Sequence, residues 1–226
     1  MNSLNLLHNG ALTVADVARR GVAATRVLQR HKIDFCCGGG RPLDEACEAR
    51  GVTPEAVLAE VAAEVAEPDE TDWTQAPLGA LIDHIIARFH DPLREEMPRL
   101  AFLAHKVARV HEERDARLPA LRDVYLAIAN ELGPHLDKEE QILFPWIRRG
   151  QGGSAGAPVR VMESEHEHVG ALLVQLRKLA DDYVVPDMAC GSWRALLEGL
   201  ELFEADLHAH IHLENNVLHP RALRGE

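Results

Sequence analysis

One phrase occurs twice in this chain and constrains it more than any other feature. His135 and Glu139 stand four positions apart, followed by Ile142, Leu143 and Pro145. His210 and Glu214 repeat the spacing, with Val217, Leu218 and Pro220 at the same offsets. Residues four apart on a helix lie one turn apart on the same face. Each phrase therefore turns one imidazole and one carboxylate the same way. Two such pairs facing each other make the inside of a metal site.

The repeat extends upstream. Asp83 precedes a histidine, His84, before the first phrase, and Glu165 precedes His166 before the second. Each half then reads as a helix bearing one histidine followed by a helix bearing the phrase. His84, His135 and Glu139 form one set; His166, His210 and Glu214 form the other. Helical bundles build dinuclear carboxylate sites in this way, with carboxylates bridging and imidazoles capping the metals. A lone His-x-x-x-Glu pair is usually a solvated surface pair, so the argument rests on the duplication. Imidazole and carboxylate suit iron, manganese or zinc, and no thiolate belongs to the set. Two bridging carboxylates and four imidazoles leave open positions on five- or six-coordinate ions. Structural zinc is normally four-coordinate and closed. The expectation is a pair of non-haem iron ions with an oxo or hydroxo bridge, and with Glu139 and Glu214 as bridging carboxylates.

The other histidines do not share the repeat. His90, His105, His111, His168, His208, His212 and His219 read as surface or edge residues, with His208 and His212 flanking a ligand. Glu131 lies one turn before His135, and Glu165 adjoins His166. Either can support a ligand or relay a proton, and an ordinary solvated carboxylate is the competing reading.

Composition narrows the class. The 226 residues carry 24 Lys and Arg against 36 Asp and Glu, a formal charge of −12. So acidic a chain is a poor holder of phosphate backbones, and no nucleic-acid partner is expected. No apolar run is long enough to span a bilayer and no signal-peptide pattern opens the chain, so no membrane partner and a cytoplasmic location are expected. The 4 cysteines, two of them adjacent, are no disulfide framework.

Periodicity predicts an all-α protein: an up-down four-helix bundle preceded by a small helical domain. Residues 1–66 hold short helices at 13–19, 22–31, 43–50 and 54–66, the last with Thr53 as N-cap and Pro54 at its first position. Residues 67–76 read as a linker. Residues 77–226 hold four long helices. The first runs from Pro77 towards His111, with a kink near Pro92 and Pro98. The second runs from Pro119 to Phe144, the third from Pro158 to before Pro186, and the fourth from Ser192 to Leu218. Gly133 and Pro134 should bend the second helix or open a turn, as a tolerated kink or as a device that re-aims His135.

The bundle resembles a hemerythrin-type domain. The whole chain resembles the repair of iron centres family, di-iron proteins that help restore iron–sulfur clusters after nitrosative or oxidative damage. The motifs that carry the likeness run from Asp34 through Cys36 and Cys37 to Gly39, Asp83 to Ile86, Lys138 to Pro145, Met162 to His166, and Leu213 to Leu218. The resemblance implies the same six ligands. It also implies damaged iron–sulfur proteins as partners and nitric oxide or oxygen as small ligands. Classical oxygen carriers of this fold place a further histidine four positions after the helix-three ligand. Here that position is Gly170, which implies room beside a metal and argues against oxygen carriage. Leu218-His219-Pro220 stands where the family usually has Leu-Phe-Pro.

Cys36 and Cys37 sit in a glycine-rich loop. Adjacent cysteines have α-carbons about 3.8 Å apart, below the usual disulfide range, so a bridge between them is strained and easily reduced. The pair suits reversible redox work or reception of an iron or a nitrosyl; a tight turn with inert thiols is the alternative. The family likeness favours a functional role in redox or iron transfer. Cys47 and Cys190 read as packing residues. The leading function is iron donation to damaged clusters. Nitric oxide reduction, gas sensing or carriage, and a metal-free interaction module are the competing readings, and a homodimer stays open.

Overall fold

The computed structural model describes residues 12–64 and 71–226. It is helical throughout, with no strand among the described residues beyond an isolated bridge between Thr13 and Pro42. Ala66 and residues 67–70 of the expected linker lie outside the described residues.

Four short helices build the N-terminal module: α1 (Val14–Ala18), α2 (Val22–Arg30), α3 (Leu43–Glu48) and α4 (Pro54–Ala63). Thr13 and Asp16 form a reciprocal capping box that starts α1. Thr53 caps α4 by accepting from Ala56 N at 3.3 Å, with Pro54 at the first position. The module has its own core, including Val14, Val27, Leu28, Phe35, Leu43, Cys47 and Val57. Cys47 is thus a packing residue.

Four arms follow. The first comprises α5 (Leu78–Ile85), a π turn (Ile86–His90) and α6 (Asp91–His111). The second comprises α7 (Leu118–Lys138), a π turn (Glu139–Leu143) and α8 (Phe144–Arg148). The third is the uninterrupted α9 (Gly156–Leu179). The fourth comprises α10 (Gly191–Leu213), a π turn (Glu214–Leu218) and α11 (His219–Leu223). α6 packs against α7 and α10, and α7 against α9. This is the up-down bundle. Gly133 and Pro134 lie inside an unbroken α7; the second arm opens instead at Glu139–Leu143, after the histidine.

Two apolar cores fill the bundle. The larger is built on α6, α7, α9 and α10 and includes Leu100, Tyr125, Ile128, Leu173, Trp193 and Leu200. The smaller closes the other end with Leu81, Ile82, Phe144, Ile147, Met162 and Leu218. On each arm one histidine stands where the side chains pass from one core to the other: His90 between Ile85 and Leu93, His166 between Met162 and Val169, His135 after Leu132, His210 after Leu207. A polar layer is therefore sandwiched between two dry ones.

The module docks on arms three and four. Lys32 pairs with Asp182 at 2.7 Å, and Arg19 donates to the Asn216 carbonyl at 3.3 Å. Asn216 Nδ2 donates to the carbonyls of Phe35 and Cys36 at 3.2 and 3.3 Å. Phe35 sets its edge against His208 and His212 at 5.9 and 5.8 Å. Past α9, Asp181, Asp182 and Tyr183 all have positive φ, a conformation unfavourable for L-residues. The turn is held by Glu204, which accepts from the Tyr183 hydroxyl and from Arg177.

Two glycines separate docking from helix propensity. A Cβ on Gly39 would lie 2.8 Å from Asn216 Oδ1 and 3.1 Å from the Phe35 carbonyl oxygen, whereas one on Gly133 would meet nothing within 4 Å. Gly39→Ala is expected to destabilise the protein by about 1–3 kcal/mol through overpacking. Gly133→Ala is expected to stabilise it by about 0.5–1 kcal/mol. Chemical denaturation of both variants checks the pair of signs.

Candidate metal centre

The π turns explain how the ligands are aimed. In each, a backbone N–H reaches five residues back: Asp91 to Ile86, Phe144 to Glu139, and His219 to Glu214. A proline follows one residue later each time: Pro92, Pro145 and Pro220. Proline lacks the N–H for an ordinary helical bond, and its ring collides with the carbonyl four residues back. A wider turn relieves that collision, and such turns are frequent at functional sites. His90 ends one π turn; Glu139 and Glu214 begin the other two. The third arm has no such proline, and His166 sits on plain helix.

Six side chains converge. His135, Glu139, His166 and Glu214 place one ligand atom each within 4.8 Å of one another; so do His90, Glu139, His210 and Glu214. All six residues are buried. Each carboxylate divides its oxygens between the two quartets. Glu139 Oε1 lies 3.3 Å from His135 Nε2, and its Oε2 lies 3.6 Å from His90 Nε2. Glu214 Oε1 lies 3.0 Å from His210 Nε2, and its Oε2 lies 3.3 Å from His166 Nε2. Within each quartet the two imidazoles oppose their Nε2 atoms at 3.0 Å. Metal–ligand bonds of about 2.0–2.2 Å place neighbouring donor atoms near such separations.

The electrostatics call for a cation. All four oxygens of Glu139 and Glu214 are buried with no hydrogen-bond partner in the protein. Bare buried carboxylates are too costly to keep unless paired or coordinated. Burial raises the Glu214 carboxyl, but His210, His166 and His90 outweigh it and hold it well below its usual range. Burial likewise opposes charge on His135, yet Glu139, Glu214 and Glu165 push it up to about 9. Imidazole and carboxylate donors in this arrangement fit two first-row ions.

The far nitrogens are held unequally. His135 Nδ1 meets Glu165 at 2.8 Å, and Lys138 holds the same carboxylate. His90 Nδ1 meets Glu140 at 2.8 Å, which Arg94 braces at 3.1 Å. His166 Nδ1 meets Asn215 Oδ1 at 2.8 Å. His210 Nδ1 has no partner, and Phe89 stacks on its ring at 5.7 Å. Such contacts orient metal-binding imidazoles and raise their basicity.

His84, expected in the cluster, is not in it. It lies half-buried on α5 against Trp73, with ring centroids 4.3 Å apart. His90, expected at the surface, takes its place and is fully buried. Six residues along a 3.6-residue helix turn the side chain well away from the starting face, so both cannot point inward. Two signals favoured His90. The phrases repeat at an interval of 75 positions; His90 precedes His166 by 76, and His84 precedes it by 82. His90 also lies shortly before a proline, Pro92, although at a different spacing from the ligands of the repeated phrases.

Other expectations need correction. His111, His212 and His219 are buried rather than at the surface. Glu131 is exposed and pairs with His168 at 3.4 Å instead of supporting a ligand. Cys190 is exposed and stands just before α10 without a side-chain capping hydrogen bond, with His111 Nε2 3.2 Å from its sulfur. The room inferred beside Gly170 is taken: a Cβ there would lie 3.4 Å from Cys37 Sγ, which donates to the His166 carbonyl at 3.4 Å. Both thiols are free, 3.8 Å apart. Asp34 Oδ1 accepts from both cysteine N–H groups at 3.1 Å and from Cys36 Sγ at 3.2 Å. The hydrogen bond to Cys37, together with burial, raises the Cys36 thiol well above its ordinary value. Access lies elsewhere. A cavity of about 350 Å³ reaches His135, His166 and His210 and is bordered by Glu131, Glu165 and Lys138.

Removing His90 is expected to leave fewer than two ions per chain after anaerobic loading with ferrous iron, whereas His84→Ala keeps both. Elemental analysis of the desalted His90→Ala and His84→Ala proteins reads the difference.

The geometry agrees with known families. Residues 81–222 match the hemerythrin HHE cation binding domain, and residues 11–65 match a domain of unknown function, DUF542. The chain is 45% identical over 218 residues to the iron–sulfur cluster repair protein YtfE of Yersinia pestis strain Pestoides F, covering 96% of each chain. It is 46% identical over 204 residues to the protein of that name from Yersinia pseudotuberculosis serotype IB strain PB1/+, covering 90% of this chain and 92% of the relative.

Proposed function

Since this chain belongs to the hemerythrin-type iron–sulfur cluster repair proteins, we propose that its buried cluster holds two iron ions and supplies iron to damaged iron–sulfur proteins. In this reading His90 and His210 hold one ion, His135 and His166 hold the other, and Glu139 and Glu214 bridge them. The observation that carries it is the set of four buried carboxylate oxygens, without a hydrogen-bond partner in the protein and divided between two imidazole pairs. Each ion would then have four donor atoms from the protein. Bound iron would supply electron exchange and open positions for small ligands such as nitric oxide or oxygen.

The chain's own groups define a path for iron as cargo. The cavity beside His135 and His166 carries Glu131 and Glu165, whose carboxylates favour a departing cation. Glu165 also holds His135, and Lys138 competes for it. Movement of that carboxylate towards the cavity would loosen one imidazole and offer a new oxygen ligand together. The closeness of Cys37 to the His166 backbone supports a part for Cys36 and Cys37 in transfer of iron or electrons. Asp34 fixes the thiol loop, and the Cys37 sulfur lies against the His166 backbone.

Anaerobically loaded protein mixed with an iron-depleted iron–sulfur acceptor is expected to rebuild the acceptor's cluster while losing its own iron. The Cys36→Ser/Cys37→Ser double variant is expected to load fully and transfer several-fold more slowly. Equal rebuilding by the iron-free protein would refute donation. Equal rates in the double variant would remove the cysteines from it.

A further inference from the structure

His219 holds, in the second phrase, the position that Phe144 holds in the first. Both rings lie over a cluster histidine. Phe144 stacks on His90 at 5.6 Å with planes 26° apart, and His219 on His166 at 6.2 Å with planes 4° apart. For packing alone either ring serves. What distinguishes His219 is its polarity in a place that gives it nothing to bond. The side chain is fully buried, and neither ring nitrogen has a hydrogen-bond partner. The nearest acid, Glu163, lies 4.0 Å from Nδ1, beyond hydrogen-bonding range.

A neutral imidazole carries one donor and one acceptor. Leaving both unmet in a dry interior is costly, and phenylalanine at this position avoids that cost. The ring stacked against His219 is His166, which with His135, Glu139 and Glu214 makes up one quartet. The nitrogens of His219 belong to neither quartet. It therefore borders the ligand set without being part of it, beside the His135/His166 pair.

We propose that His219 is a positioning residue that donates a hydrogen bond to a small anion held at the His135/His166 side of the metal pair. The His90 side offers Phe144 instead, which has nothing to donate. The two metal positions thereby become chemically unequal, and anions with exposed lone pairs favour the His219 side. The inference rests on the two-iron reading of the cluster and adds a ligand preference to it.

Azide is a suitable probe. Two variants are compared with the natural protein: His219→Phe, which copies the first phrase, and His219→Gln, which keeps a donor. Iron per chain, azide affinity, the infrared azide stretch in H2O and D2O, and the melting temperature of iron-free protein are measured. The expected result is two irons per chain throughout. Azide affinity falls about tenfold in His219→Phe, the loss of one hydrogen bond to a charged group, and is largely kept in His219→Gln. The azide stretch of His219→Phe moves and loses its D2O sensitivity. Iron-free His219→Phe melts higher than the natural protein. Unchanged affinity and stretch in His219→Phe, a lower melting temperature without iron, or loss of one iron would each overturn the proposal. Natural protein that takes up fewer than two irons would instead sink the two-iron reading and this proposal with it. Full loading with unaltered azide binding would sink this proposal alone.

Discussion

Two glutamates lie in the dry middle of a helical bundle with none of their oxygens bonded to protein, and the rest of the structure is arranged around that fact. Such carboxylates survive only with positive charge close by. The four imidazoles supply part of it when protonated, and metal ions would supply it more fully. The apolar cores above and below exclude the water that would otherwise screen the layer. Binding of a cation and the penalty for leaving the layer without one would therefore have one cause.

The backbone meets this demand with proline. Each proline after a phrase or after His90 follows a wide turn, and that turn carries a ligand of the buried layer. The same turns couple the layer to its surroundings. Asn215 and Asn216 follow Glu214 directly. The first bonds His166 and the second holds the loop of Cys36 and Cys37. One dipeptide thus links the metal-facing layer to the thiol module. The near two-fold relation between the halves is broken in the partners of the imidazoles: Glu140 against Asn215, Glu165 against Phe89, Phe144 against His219.

Much of this was legible before the fold was seen. The arms, the short N-terminal helices and the Thr53 cap follow from periodicity and turn chemistry, and the repeated phrase points to Glu139, Glu214, His135 and His210. His84 misled because an acid-histidine pair looked like the partner of Glu165 and His166, while the interval of the repeat pointed to His90. The burial of His219 and the filling of the Gly170 gap by Cys37 were not legible. Both depend on how distant segments pack, and no local pattern encodes that.

The ligand layer draws a histidine from every arm and glutamates from the second and fourth. Whatever cation sits there cross-links the whole bundle and stabilises it by mass action, since the unfolded chain offers no comparable site. A protein that gives such ions away gives up its own central staple. Its folded population would then record its load: the filled form would be the more stable, and the spent form more open to unfolding. Under the proposed donation, release of the ions and loss of the donor's stability would follow one equilibrium.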